Sequence, residues 1–339
     1  MKRCVLHRPG LVEFEEIPDL EPGPEEIVVS VRGALTCGTD LKMYRQGHPM
    51  VPLPTPFGHE FSGVVEKCGA GITAFSEGQE IMAVHTGPCG ECSFCVRGHP
   101  QLCTALMDTK VMGSFAEQVL LPRHVADQNV FPKPPELPFT EAALLEPLAC
   151  VVHGVDSLGL REGQTAVVIG AGPIGLLHTA YLKHLGLVVT VAGRGRERLQ
   201  AARSLGADRV LESGGTWVES LREEIGDEGA DYVFECTGRP EVWEGAVWVA
   251  RRGGTVTLFG GCPPGTQVMF DAARLHYDAI TLRGVFHFAP DDVRRARDLL
   301  VSGTLKLGVL ITAEYPLYQI ETVLDRLVRG EGIKFALVP

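Results

Sequence analysis

The chain has 339 residues and a formal net charge of −11, with hydrophobic residues at 45 % and charged residues at 22 %. That length exceeds one ordinary hydrophobic core and predicts two domains, while the acidic balance and lack of a Lys/Arg cluster beyond Arg194-Gly-Arg196-Glu-Arg198 argue against nucleic acid or an anionic membrane as partner. No apolar run approaches a membrane span and Met1-Lys2-Arg3-Cys4 does not open a secretory leader, so the ten cysteines point to a reducing cytoplasm, where thiolates stay available to metal.

The first third reads as short strands bounded by Gly and Pro: Ile27 to Gly33, Phe61 to Lys67 and Gln79 to Val84. Between them Cys37 sits in a predicted loop, Thr36-Cys37-Gly38-Thr39-Asp40, and Gly58-His59-Glu60 follows a proline-rich turn. Cys, His and Glu form the mixed donor set that leaves zinc Lewis-acidic with a position for substrate. Taken singly, Cys37 also suits a small buried side chain and His59 a core histidine.

Cys89, Cys92, Cys95 and Cys103 come next, in a stretch of about 86–106. Four thiolates at this spacing suit one tetrahedral zinc with no open position, a structural clamp; two disulfides or a redox pair are the alternatives. Pro132 to Pro138 then interrupts regular structure before a helical pattern from Thr140 to Cys150. Glu146 lies in that pattern amid Ala and Leu, and a carboxylate in such surroundings needs a partner, which a zinc ion would be.

From Thr165 onward strands and helices alternate. Strands are predicted at 166–169, 188–191, 209–211, 232–235 and 254–259, with helices at 174–185, 196–205, 217–225 and 241–250 between them. This is the pattern of a doubly wound α/β sheet. Gly170-Ala-Gly172-Pro173-Ile174-Gly175 falls between the first strand and first helix, where glycines let backbone N–H groups approach a pyrophosphate. Thr237 and Gly238, past a later strand, complete the expected cofactor contacts.

At the end of the second strand, where a carboxylate would hold the ribose hydroxyls of NAD, the chain reads Gly193-Arg194-Gly195-Arg196. Without an acid, and with Arg194 and Arg196 able to pair with a 2′-phosphate, NADP is preferred over NAD. A Gly193→Asp change is expected to reverse that preference. Ile280 to Phe288 reads as an edge strand that would pair with its twin in a homo-oligomer, a tetramer rather than a dimer. Helices are predicted at 291–302 and 317–329.

Gly58-His59-Glu60-x-x-Gly63-x₅-Gly69-x-x-Ile72, the four-cysteine spacing and the glycine turn together resemble the zinc-dependent medium-chain dehydrogenases. Glu146 of Glu-Pro-Leu places the resemblance in the sorbitol and threonine dehydrogenase branch, since classical alcohol dehydrogenases carry a cysteine there. The resemblance covers essentially the whole chain. It implies a GroES-like, mostly-β catalytic domain over 1–148 and 290–339 and a Rossmann domain over 149–289. It also implies two zinc ions per chain, a catalytic one held by Cys37, His59, Glu60 and Glu146, and a structural one held by the four lobe cysteines.

In that family Thr39 passes the substrate proton outward, Asp40 receives the second ring N–H of His59, and His85 lines the substrate pocket. Which of Glu60 and Glu146 is the resting ligand stays open. The implied activity is reversible hydride transfer between NAD(P) and a secondary alcohol or polyol. L-threonine 3-dehydrogenation and a simple alcohol or aldehyde dehydrogenase are the alternatives.

Overall fold

The computed structural model describes residues 1–339. Contacts divide the chain into two compact units, Met1–Cys150 with His287–Gly303 and Ile311–Pro339, and Val151–Phe286 with Thr304–Leu310. No helix is long and apolar enough to cross a membrane.

The strand Ile27–Leu35 organises the first unit. Its Val-rich sequence is buried along most of its length, as expected of a strand covered on both faces. One edge pairs antiparallel with Glu60–Cys68. The other is shared: its first residues pair with Gln118–Leu121 and its last with Lys334–Val338. Glu80–Ala83, Val130–Pro132 and Ile311–Pro316 extend this sheet, and Leu11–Glu16, Lys2–Arg8 and Thr55–Pro56 form a smaller one. Phe57, Phe61, Phe115 and Phe335 fill the core with Ile320, Val323, Leu324 and Leu327, the apolar stripe of the helix Ile320–Val328.

The second unit is a parallel six-stranded sheet in the order Arg209–Glu212, Val188–Gly193, Thr165–Ile169, Ala230–Glu235, Ala250–Leu258, Thr281–Gly284. Numbered along the chain, this is the doubly wound order of dinucleotide-binding folds, with helices Pro173–His184, Arg196–Ser204, Trp217–Ile225 and Pro240–Ala246 in the crossovers. The α/β fold class is as the sequence indicates, and two local readings are corrected. The helix expected to reach 250 stops at Ala246, and Ala250 already begins the next strand, whose register shifts between Ala230 and Tyr232. The edge strand ends at Gly284, short of Phe288, and the positive φ of 59° at His287 rules out an extended run through that residue.

Candidate metal centres and nucleotide site

Sheet register assembles the first candidate site. Leu35 opposes Glu60, so the chain beyond Leu35 brings Cys37 alongside Gly58 and His59. Phe61 opposes Ala83, and the same register continued two residues sets His59 opposite His85. Ala336 opposes Leu35 on the other edge and delivers Lys334 to the same end of the sheet. Glu146 enters from the first turn of the helix Leu145–Asp156.

The predicted loop around Cys37 is instead a helix start. Cys37 is the N-cap of Gly38–Gln46, its Sγ accepting the Thr39 N–H at 3.2 Å while Asp40 Oδ2 accepts the Cys37 N–H at 2.9 Å. The reciprocal bonds satisfy two donors of the first turn and fix the thiol's direction. Cys37 Sγ lies 3.4 Å from His59 Nε2, and Asp40 Oδ1 lies 3.2 Å from His59 Nδ1. The carboxylate thereby aligns the ring with Nε2 toward the thiol. Thr39 is exposed on the same helix.

Glu60 is almost wholly buried and paired with buried Lys334, whose Nζ lies 2.6 Å from Oε2 and 2.9 Å from Oε1 and also donates to the Thr36 carbonyl at 2.8 Å. Ligating atoms of His59, Glu60 and Glu146 all lie within 4.8 Å of one another, as do those of Cys37, Asp40 and His59. His85 Nδ1 is 3.6 Å from Glu146 Oε1, and the His85 ring stands edge-on to His59 at 5.0 Å.

The electrostatics fit a divalent cation. Burial pushes the carboxyls of Glu60 and Glu146 and the thiol of Cys37 up, with Lys334 and His59 opposing only part of the rise. Burial works against a charged His59, but Cys37 and Asp40 outweigh it and hold its pKa well above the usual value. Burial, then His59 and His287, push His85 well below the usual value. A bound Zn²⁺ compensates the burial of thiolate and carboxylate charge in one step.

The lobe fits zinc by geometry. Cys92 and Cys95 sulfurs are 3.5 Å apart, as are those of Cys89 and Cys103. A tetrahedral zinc with Zn–S bonds of about 2.3 Å has edges of about 3.8 Å. Backbone N–H groups of Cys95 and Thr104 pull Cys92 down to about 5, whereas burial and the neighbouring Cys92 push Cys95 up to about 12.

In the second unit a cavity of about 440 Å³ is lined by Gly170, Gly172, Gly193, Arg194 and Thr237. Gly172 caps the helix Pro173–His184, with Pro173 and Ile174 in its first turn, so the helix N-terminus is placed as an anion site. A Cβ on Gly175 would sit 1.7 Å from the Gly170 carbonyl oxygen, so only glycine lets the helix close on the turn. Gly238 donates its N–H to the Glu235 carboxylate at 3.2 Å, fixing the loop that carries Thr237.

Two sequence expectations change here. Arg196 opens the helix Arg196–Ser204 and is exposed, outside the cavity lining, whereas Arg198 and Arg239 line it. Gly193 packs against Ala171, where an added Cβ would lie 2.4 Å from the Ala171 Cβ, so Gly193→Asp would clash rather than supply a ribose acceptor. Lys334 and Arg239 escaped the sequence reading, and Arg198 was not among its candidate site residues. Of these only Lys334 carried a signal, a lysine inside the otherwise apolar run Ile333-Lys-Phe-Ala-Leu-Val338.

Residues 23–135 match the alcohol dehydrogenase GroES-like domain and residues 173–302 the zinc-binding dehydrogenase family. A sorbitol dehydrogenase of Halalkalibacterium halodurans is 29 % identical, over 98 % of this chain and 97 % of its own. An L-threonine 3-dehydrogenase of Stenotrophomonas maltophilia is 28 % identical, over 96 % and 95 %. A solved structure from Sinorhizobium meliloti 1021, described as a zinc-binding dehydrogenase bound to NADP, is 30 % identical with a TM-score of 0.91, covering 100 % of this chain and 99 % of that one. This chain belongs to the zinc-dependent medium-chain dehydrogenases. Within them it falls in the polyol and threonine dehydrogenase branch. It is a zinc-containing, NAD(P)-dependent alcohol or polyol dehydrogenase.

Proposed function

We propose that the protein reversibly oxidises a secondary hydroxyl of a polyol to the ketone, with NADP preferred over NAD. The carrying observation is the buried group His59, Glu60 and Glu146, joined through His59 to half-buried Cys37 and flanked by the imidazole of His85, a polar wall suited to a hydroxylated substrate. Cys37, His59 and one or both carboxylates would hold the catalytic zinc, and Cys89, Cys92, Cys95 and Cys103 a structural one. Bound zinc supplies Lewis acidity that lowers the pKa of an alcohol, and the nicotinamide supplies the hydride acceptor.

The chain's own residues do the rest. Asp40 keeps the second ring nitrogen of His59 occupied, so Nε2 faces the donor set. Lys334 tethers Glu60. The exposed Thr39 hydroxyl takes the substrate's proton outward. Arg194, Arg198 and Arg239 give the nucleotide cavity three guanidinium groups against one carboxylate, Glu241, which pairs with Arg239, and this supports the 2′-phosphate of NADP as the feature read there.

The exposed side chains Tyr277 and Phe286 flank the edge strand Thr281–Gly284, supporting assembly of homo-oligomers, with a tetramer proposed. A reducing cytoplasm suits the lobe's four thiolates. Steady-state turnover of sorbitol, xylitol, L-threonine and 2-butanol, each with NAD⁺ and NADP⁺, tests the assignment. Polyols with NADP⁺ should give the highest kcat/KM; L-threonine leading would move the chain to amino-alcohol oxidation. Arg194→Ala should raise KM for NADP⁺ about ten-fold or more and leave that for NAD⁺ nearly unchanged, a charge-assisted pair contributing about 1.5–3 kcal/mol.

A further inference from the structure

Two non-glycine residues of the chain have positive φ, Ala279 at 51° and His287 at 59°. Ala279 has an ordinary cause. It follows the helix Ala272–Tyr277, and the bonds Ile280 N to Leu275 O and Ala279 N to His276 O close a standard left-handed helix end. His287 follows no helix. Its conformation is held from the next residues, since Phe288 is buried and the Ala289 N–H is bound at 2.7 Å by Asp292, in the first turn of the helix Pro290–Val301. Strain retained by its surroundings at a histidine calls for a use.

The strained backbone seats the imidazole beside the metal donors. His287 Nε2 lies 2.7 Å from the hydroxyl of buried Thr86, and its ring stands at 90° to that of His85 with centroids 5.7 Å apart. Thr86 is fixed in turn, its carbonyl accepting from Asn129 at 2.7 Å. His85 is therefore clamped between His59 and His287, in a row of three imidazoles leading away from the thiolate and carboxylates. The buried His85 Nδ1 makes no hydrogen bond within the protein, with Glu146 Oε1 facing it at 3.6 Å. A polar atom so buried needs a partner, and the hydroxyl of a bound substrate is one.

We propose that His287 is the positioning residue that gives this dehydrogenase its preference for vicinal diols over mono-alcohols, acting through Thr86 and His85. With one substrate hydroxyl at the metal donors, the neighbouring hydroxyl meets His85, held there by His287. A mono-alcohol offers His85 no such hydrogen bond and loses that interaction. The inference rests on the polyol reading of the same site.

The test is kcat and KM of the zinc-loaded enzyme on 2,3-butanediol and 2-butanol, which differ by one hydroxyl. His287→Gly permits the positive φ but removes the ring, Thr86→Val removes the hydroxyl that the ring meets, and His287→Asn keeps a polar group in a residue that tolerates the conformation. The diol-to-mono-alcohol ratio of kcat/KM should fall about ten-fold in the first two, chiefly through KM for the diol, and recover partly in His287→Asn. Melting temperatures recorded beside the ratios separate positioning from folding, since a merely structural role lowers Tm and affects both alcohols alike. An unchanged ratio in His287→Gly and Thr86→Val, with the wild type preferring the diol, overturns the inference alone. A wild type without diol preference also overturns it. A wild type inert on every alcohol overturns the functional reading and this inference together.

Discussion

Lys334 carries the positive charge that a buried Glu60 requires while the metal is away. Both side chains are removed from water, so the pair is not screened, and deleting one member strands the other. Lys334→Met should destabilise the zinc-free protein by about 3–5 kcal/mol in urea unfolding, and adding Glu60→Gln should restore much of the loss. A double variant no more stable than Lys334→Met would contradict the pairing. Sequence reading found Cys37, His59 and Glu60 because they lie in short motifs. It passed over Lys334 because 274 positions separate it from Glu60 and only sheet register joins them. Arg198 was likewise not singled out: the winding of the helix Arg196–Ser204 puts Arg198 in the cavity lining and leaves Arg196 outside it.

His178 belongs to the same scale. Its Nδ1 donates to the Ile174 carbonyl at 2.9 Å and its ring lies between Phe234 and Phe259. Burial holds its pKa down to about 4, against about 6.5 in an unfolded chain. The folded value is the lower one, so this stabilisation is complete above pH about 6.5 and is lost as pH falls toward about 4, on the order of 3 kcal/mol in all. Urea midpoints between those pH values should fall more steeply for the wild type than for His178→Asn. Parallel slopes would contradict the assignment.

At the scale of elements, the four-cysteine lobe depends most on its metal. Its helix Ser93–Val96 and the 3₁₀ turn Pro100–Leu102 contain no buried residue, and neither is long enough to persist alone. Cys92→Ser should lower Tm and cost about one zinc per chain; an unchanged metal content would contradict a zinc clamp. The βα alternation after Thr165 was legible because buried parallel strands are apolar runs of distinct length. The helix Gly38–Gln46 was not, being short, mostly polar apart from Leu41, Met43 and Tyr44, and opened by a cysteine, a residue outside the usual N-caps. The limit of Pro240–Ala246 was misread because Ala246-Val-Trp-Val-Ala250 suits helix and strand alike.

At the scale of the whole molecule, the proposed metal donors belong to one compact unit and the nucleotide cavity to the other. The fold class was legible because two distinct patterns, turn-punctuated strands and βα alternation, occupy different stretches of one chain. The grouping of His85, Thr86 and His287 was not, because they meet only through tertiary structure and a strained turn. Zinc and turnover measured together on the wild type and His59→Ala test the central claim most directly. The wild type should hold about two zinc ions per chain, and His59→Ala about one, with turnover abolished and NADP⁺ affinity kept within about two-fold. Alcohol oxidation retained by His59→Ala, or by the wild type after its zinc has been stripped, would contradict the account.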